Sequence, residues 1–116
     1  MRYRFADCEL DIDRREFRRG GRALPVEPQV FDLLRYLVEH PGIAISKDQI
    51  FDAVWQGRIV SDATLISRIK SARKAIGDTG HDQRVIKTLH GHGFRFMSEV
   101  TVLGTAALPS GITVAF

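Results

Sequence analysis

The segment from Ser61 to Gly77 constrains the fold of this chain more than any other part of its sequence. Apolar residues recur in it at spacings of four, three and four positions, which places them on one face of a helix: Leu65, Ile69, Ala72 and Ile76. Ser61 or Asp62 can cap the start of such a helix, and Gly77 suits the position after its end. The segment therefore predicts an amphipathic helix from Asp62 to about Ile76, which has to bury one face against other elements.

The opposite face of this predicted third helix is polar and basic. It carries Thr64, Ser67, Ser71 and Lys74, with Arg68 on one border, Lys70 on the other and Arg73 near the C-terminal end. Ile66 flanks the apolar face, and Asp62 is the only acid in the segment. Small polar and basic side chains allow a helix to enter a DNA major groove, which is about 12 Å wide. A basic face that is merely solvated is the alternative.

Short strands are predicted before the first helix. Tyr3–Phe5 precedes an alternating run at Glu9–Asp13, and Glu16–Arg19 is followed by Gly20-Gly21, a pair that accepts the positive φ of a hairpin turn. Arg22–Val26 would be the returning strand. These segments predict a small antiparallel sheet with one apolar face, which needs other elements to cover it.

Two helices are predicted between this sheet and the third helix. Pro28 can begin the first, because proline at the first helical position loses no hydrogen bond, and Pro41-Gly42 ends it. Ser46 and Gln49 form a capping-box pattern at the start of the second, which Gly57 ends. Each helix has an apolar stripe at helical spacing: Val30, Phe31, Leu33, Leu34, Leu37 and Val38 in the first, and Ile50, Phe51, Val54 and Trp55 in the second.

A β-hairpin and a tail complete the chain. Val85–Leu89 and Phe94–Met97 predict strands around a turn from His90 to Gly93. The whole order predicts an α+β fold over residues 1–98, with an N-terminal antiparallel sheet, a three-helix core and a C-terminal hairpin. Residues 99–116 are interpreted as a linker or an accessory-strand tail, with weak β-type runs at Val100–Leu103 and Ile112–Phe116.

Composition limits the class of protein. A chain of 116 residues, 44% hydrophobic and 27% charged, has room for one domain with a modest core. It has no apolar run near the roughly 20 residues of a membrane span, and its start lacks the apolar stretch of a signal peptide. Cys8 is the only cysteine, so no intrachain disulfide can form. These features predict a cytoplasmic protein.

The net charge of +3 is spread unevenly. Residues 58–97 hold eight lysines and arginines against three aspartates, whereas residues 1–57 hold nine basic and ten acidic groups. A positive half beside a nearly neutral half indicates a polyanionic partner for the positive half.

Four segments in order then carry a family resemblance: Leu24–Leu34 (LPVEPQVFDLL), Ser46–Trp55 (SKDQIFDAVW), Val60–Gly77 and Ile86–Phe96 (IKTLHGHGFRF). Together they resemble the winged helix-turn-helix domains of the OmpR/PhoB family, over roughly residues 3–97. The resemblance implies a sequence-specific, DNA-binding transcriptional regulator. Its recognition helix, at about 62–76, would lie in the major groove, and its wing, at about 85–97, would lie at the minor groove.

The resemblance also implies which residues contact double-stranded DNA. Ser67 and Ser71 would face base edges, and Arg68 would reach a base or a phosphate. Lys70 borders this face and belongs to the predicted site. The remaining members would hold phosphates or lie over the minor groove: Thr64, Arg73, Lys74, Thr88 and the backbone amide of Trp55 at phosphates, and the wing tip from His90 to His92 at the minor groove.

Three departures from the family pattern matter. His90 stands where arginine is common, which weakens the expected charge in the minor groove. Serines face the bases where longer donors are common. The strands begin near Met1, so no receiver domain is expected before them, an arrangement similar to that of ToxR- and CadC-like regulators.

Other sites and functions are weighed against this interpretation. His90 and His92 could bind a metal if Cys8 or His81 approached, but histidine pairs in turns are mostly solvated. No catalytic constellation, metal site or cofactor motif is recognised, so an enzyme is not expected. The rival functions are a winged helix that contacts RNA polymerase through the Gln56–Ser61 loop, and the targeting domain of a longer sensory, cyclase or repeat protein. A homodimer on DNA is a further expectation.

Overall fold

The computed structural model describes residues 1–58 and 60–103 of the chain. The elements in chain order are β1 (Arg2–Phe5), β2 (Cys8–Asp11), β3 (Glu16–Arg19), β4 (Arg22–Leu24), α1 (Pro28–Glu39), β5 (Ala44–Ser46), α2 (Lys47–Trp55), α3 (Asp62–Ile76), β6 (Ile86–Leu89), β7 (Gly93–Phe96) and β8 (Thr101–Leu103).

The N-terminal strands form the predicted antiparallel sheet, in the order β4-β3-β2-β1-β8. Gly20 and Gly21 turn the chain between β3 and β4 with φ angles of +59° and +80°, as a tight hairpin requires. Alternate side chains of the first three strands point into the core: Tyr3, Phe5, Cys8, Leu10 and Phe17 are all buried. The sheet therefore covers one side of the helices.

The fifth strand of this sheet comes from the predicted tail. Arg2, Tyr3 and Arg4 of β1 pair with Leu103, Val102 and Thr101 of β8. The weak β-type run that the sequence shows at Val100–Leu103 therefore forms an accessory strand at the edge of the sheet, which is one of the two interpretations given for the tail. The run at Ile112–Phe116 lies outside the described residues.

The three helices begin and end where the sequence predicts, within one or two residues. At the start of α2, the Ser46 hydroxyl accepts from the Gln49 N–H at 3.1 Å, and the Gln49 side chain accepts from the Ser46 N–H at 2.8 Å. Ser61 caps α3 by accepting from the Thr64 N–H at 3.1 Å. The predicted capping box and the predicted N-cap are thus confirmed.

A second sheet, in the order β5-β7-β6, supports the hairpin. The hairpin itself is predicted by the sequence, whereas β5 is not. Three residues are too few for an alternating pattern to show, and β5 exists through its pairing of Ala44, Ile45 and Ser46 with β7. The Phe5 and Phe96 rings meet edge to face at 5.1 Å between centroids, so both sheets share one core with the helices.

The helices of the described residues are all too short or too polar to cross a lipid bilayer.

Candidate nucleic-acid interface

The outward side of α3 forms a continuous strip, here called the exposed α3 face. It consists of Ala63, Ile66, Ser67, Lys70 and Lys74, all of which are exposed. The buried side carries the four residues that the sequence predicts there, Leu65, Ile69, Ala72 and Ile76. The helix is therefore fixed from behind and open in front, as a helix that enters a groove has to be.

Ile66 flanks the apolar face, as the sequence predicts, but it lies on the accessible side of that border and is 51% exposed. A rotation of about 100° per residue puts it roughly 60° from Ile69 and roughly 100° from Leu65.

Arg68, Ser71 and Thr64 lie at the border of the exposed face and are half-buried. The Arg68 Nε donates to the Gln29 side chain of α1 at 2.8 Å, and one terminal nitrogen reaches the Ser67 hydroxyl at 3.4 Å. The bond to Gln29 holds the guanidinium stem against α1 while the group remains partly accessible. The Thr64 hydroxyl lies 3.0 Å from that of Ser61, so it belongs to the helix cap as well.

Arg73 lies largely inside the protein. Only 9% of it is exposed, and its Nε and one terminal nitrogen both donate to the Ile86 carbonyl, at 3.1 and 2.9 Å. The same terminal nitrogen donates to the Thr88 hydroxyl at 2.9 Å. Burial lowers the pKa of this guanidinium, and nearby Asp78 acts in the opposite direction. In this structure Arg73 joins α3 to β6 from the inside, so a phosphate would have to compete with these hydrogen bonds, and the phosphate contact of Arg73 stays a prediction.

Asp78 is a buried residue that sequence reasoning missed. Its carboxylate accepts four backbone N–H groups at 2.8 to 3.0 Å, from Thr79, Arg84, Val85 and Ile86. Burial alone would raise the pKa of Asp78, but the four hydrogen bonds together outweigh burial and lower it. The only signal in the sequence was an acid directly after the C-terminal glycine of α3.

The wing tip contains three exposed residues followed by one buried glycine. His90, Gly91 and His92 are exposed, and the His92 N–H closes the turn on the Leu89 carbonyl at 2.9 Å. Gly93 is buried with a φ of +141°, and a Cβ there would overlap the Ile45 carbonyl oxygen of β5. The last glycine of the predicted turn is thus required by strand packing.

Trp55 and Thr88 support the site from the interior. The Trp55 ring is buried and meets Phe51 edge to face at 5.9 Å between centroids. The backbone N–H of Trp55 belongs to the last turn of α2, where such groups point at the carbonyl four residues earlier. A phosphate would therefore have to share this N–H with the helix. The Thr88 N–H is taken by Gln83 at 2.8 Å, whereas its hydroxyl, which accepts from Arg73, still has a proton to donate.

The rival sites gain no support from the geometry. Among residues 1–58 and 60–103, no three histidine, cysteine, aspartate or glutamate side chains are grouped as a metal site would require. Cys8 is buried, and burial together with neighbouring Asp7 raises the pKa of its thiol to about 12. A thiol in that state is a poor nucleophile and a poor metal ligand.

Comparison with known proteins shows which family the chain matches. Residues 21–96 match the family model described as "Transcriptional regulatory protein, C terminal". The chain is 35% identical over 83 residues to the transcriptional activator CadC of Escherichia coli K12, covering 71% of this chain and 16% of that protein. It is 34% identical over 88 residues to the phosphate regulon regulatory protein PhoB of Klebsiella pneumoniae, covering 75% and 38%. The chain thus spans well under half the length of these relatives.

Solved structures give the same result. The DNA-binding domain of Escherichia coli CadC superposes with a TM-score of 0.75 at 30% identity, over 86% of this chain and 94% of that one. The DNA-binding domain of Klebsiella pneumoniae RstA, solved with its RstA box, has a TM-score of 0.75 at 23% identity, over 83% and 96%. The second likeness concerns the fold alone.

Proposed function

The chain belongs to the OmpR/PhoB-type family of transcriptional regulatory domains, and we propose that it binds duplex DNA with α3 in the major groove and the wing at the adjacent minor groove. The proposal goes beyond family membership because it assigns the contact to particular residues of this chain. Regulation of transcription follows from where such a domain is placed on a promoter.

The distribution of ion pairs is the observation that carries this proposal. Among the described residues, every ion pair takes its cation from residues 1–47, where basic groups meet neighbouring acids. The cations of α3 and the wing strands have no such partner within residues 1–58 and 60–103: Arg68, Lys70, Arg73, Lys74, Lys87 and Arg95. Of these, Lys70, Lys74 and Lys87 are exposed. An unneutralised basic surface around a helix of groove-fitting shape suits the DNA backbone.

The proposed division of labour follows exposure. Lys70 and Lys74 neutralise phosphates beside the groove, with Thr64, Thr88 and the Trp55 amide as weaker donors. Ser67 faces base edges from the middle of the exposed α3 face, and Ser71 and Arg68 do so from its border. His90 and His92 lie over the minor groove. Phosphate contacts supply most of the affinity, and base contacts set the sequence preference.

A salt titration with duplex DNA tests this proposal. With about four to five cation–phosphate contacts, the logarithm of the binding constant falls with the logarithm of salt concentration at a slope of roughly −4. Random-sequence and selected duplexes should give similar slopes but different affinities. A slope near zero would contradict the proposal.

Two finer expectations stay predictions. Contact with RNA polymerase is assigned to the loop Gln56–Ser61, in which Ile59 lies outside the described residues. Pairing of two copies on DNA would be recognised by cooperative binding to adjacent half-sites.

A further inference from the structure

Ile66 is a large apolar side chain on an otherwise polar or small exposed face. It is 51% exposed, whereas the other leucine and isoleucine side chains of α3 are at most 4% exposed. Single exposed apolar side chains are common on protein surfaces, so exposure alone assigns no role to Ile66, and its location has to do so. Folding gains less from it than from the buried isoleucines of α3, because about half of its surface stays in water.

The position of Ile66 is set by its neighbours on the helix. With 3.6 residues per turn, it lies roughly 40° from Lys70 and roughly 60° from Ala63 around the helix axis. Arg73, which reaches the Thr88 hydroxyl of β6, lies roughly 20° to its other side. Ile66 therefore occupies the flank of the exposed α3 face that turns towards the wing, and short Ala63 and Ser67 leave it projecting.

The chemistry of the major groove indicates what this side chain meets there. Serine hydroxyls both donate and accept, so Ser67 and Ser71 can pair with any base and discriminate weakly. The 5-methyl of thymine is the apolar group on the base edges of this groove. We propose that Ile66 contacts a thymine 5-methyl group and thereby adds a preference for thymine to the weak discrimination by the serines. This inference rests on the proposed docking of α3.

The test removes the methyl group from the DNA rather than from the protein alone. A duplex selected from a random library with the wild-type chain is remade with each thymine in turn replaced by deoxyuridine, which keeps all the hydrogen-bonding groups. Replacement at one position should weaken wild-type binding about fourfold, the effect of one buried methyl group. Ile66→Ala should bind the thymine duplex more weakly and show no further loss at that position.

Ile43→Ala is the matched control. Ile43 is 53% exposed but lies before β5 and outside α3, so this variant should keep the wild-type response to deoxyuridine. Thermal melting checks that all three proteins are folded. If wild type and Ile66→Ala respond alike to every replacement while both bind DNA, the role of Ile66 is overturned. If the wild type enriches no duplex at all, the proposed function fails instead.

Discussion

Two neighbouring regions of the molecule use the same kinds of residue in opposite ways. Beneath the wing, Arg73, Asp78, Thr88 and Gly93 form the group here called the wing support. The Arg73 guanidinium and the Asp78 carboxylate bond to β6, and Gly93 of β7 packs against β5. On the exposed α3 face, Lys70 has no ion pair among the described residues. The first region fixes where the wing lies, and the second is left open for a partner.

This contrast shows what a count of charges misses. Lys70 and Arg73 are three residues apart on one helix and contribute equally to the basic balance of residues 58–97. One is exposed, whereas the other bridges to β6 and holds the wing. The net charge therefore indicates a polyanionic partner correctly but overstates the number of cations that can reach it.

Gly93→Ala should damage the wing support most. The added Cβ would overlap the β5 backbone at a φ of +141°, so we expect the free energy of unfolding to fall by about 3 kcal/mol or more. Gly91→Ala is the control, because Gly91 has a φ of +78° but no atom lies within 4 Å of the point that a Cβ would occupy. Its cost should be about 1–2 kcal/mol. Equal losses in chemical denaturation would mean that strand packing does not require Gly93.

Asp78→Asn tests the same region through pH. An amide cannot accept all four N–H groups as a carboxylate does, and we expect a loss of about 2 kcal/mol near neutral pH. Because the pKa of folded Asp78 is lowered, its contribution to stability is present above the ordinary aspartate range and is lost as pH falls through the lowered value. The stability difference between wild type and variant should therefore narrow in acid. A pH-independent difference would show that the charge has no part in it.

The local signals in the sequence predicted most of the fold. Ser46 with Gln49, Ser61, Gly20-Gly21 and the apolar stripes each determine structure within a few residues, so the helices, the first sheet and the hairpin were found. The weak β-type run at Val100–Leu103 indicated β8, but neither its pairing with β1 nor the existence of β5 was predicted, because both strands depend on partners far along the chain. No periodicity in three residues can reveal such pairing.

The sequence predicted which face of α3 is polar and exposed, but not which of its charged side chains bond inside the protein. The polar and basic side of α3 followed from helical spacing, but the inward turn of Arg73 depends on the Ile86 carbonyl and the Thr88 hydroxyl, which the fold brings to it. The role of Asp78 likewise depends on four N–H groups that only the folded loop collects. Such residues look like ordinary surface charges until tertiary structure places them.

Substituting the cations of α3 one at a time should distinguish the exposed α3 face, which affects DNA binding, from the wing support, which affects stability. Lys70→Ala and Lys74→Ala should each weaken DNA binding and flatten the salt slope by about one, with unchanged stability. Arg73→Gln removes the charge together with the planar fork that bonds Ile86 and Thr88, so it should lower the free energy of unfolding by about 1–2 kcal/mol and leave the slope nearly unchanged. If Arg73→Gln flattened the salt slope as the lysine variants do, Arg73 would contact DNA as well as support the wing.

His90 gives the smallest expected effect, at the point where the supported wing meets the proposed minor groove. The negative potential of a narrow minor groove attracts an arginine. His90→Arg places a permanent guanidinium charge at this point and should strengthen DNA binding at pH 8 by about 1 kcal/mol, or roughly fivefold.

His92 is exposed in the same turn, so the same substitution there identifies the position responsible. If His90 lies against the DNA, His90→Arg should strengthen binding more than His92→Arg does. His81→Arg, in the exposed loop after α3, controls for the general effect of an added positive charge. A His90 side chain that pointed into solvent would give wild type and His90→Arg equal affinities at pH 8. The wing tip would then only close the hairpin, and the surface available to DNA would be limited to the exposed α3 face.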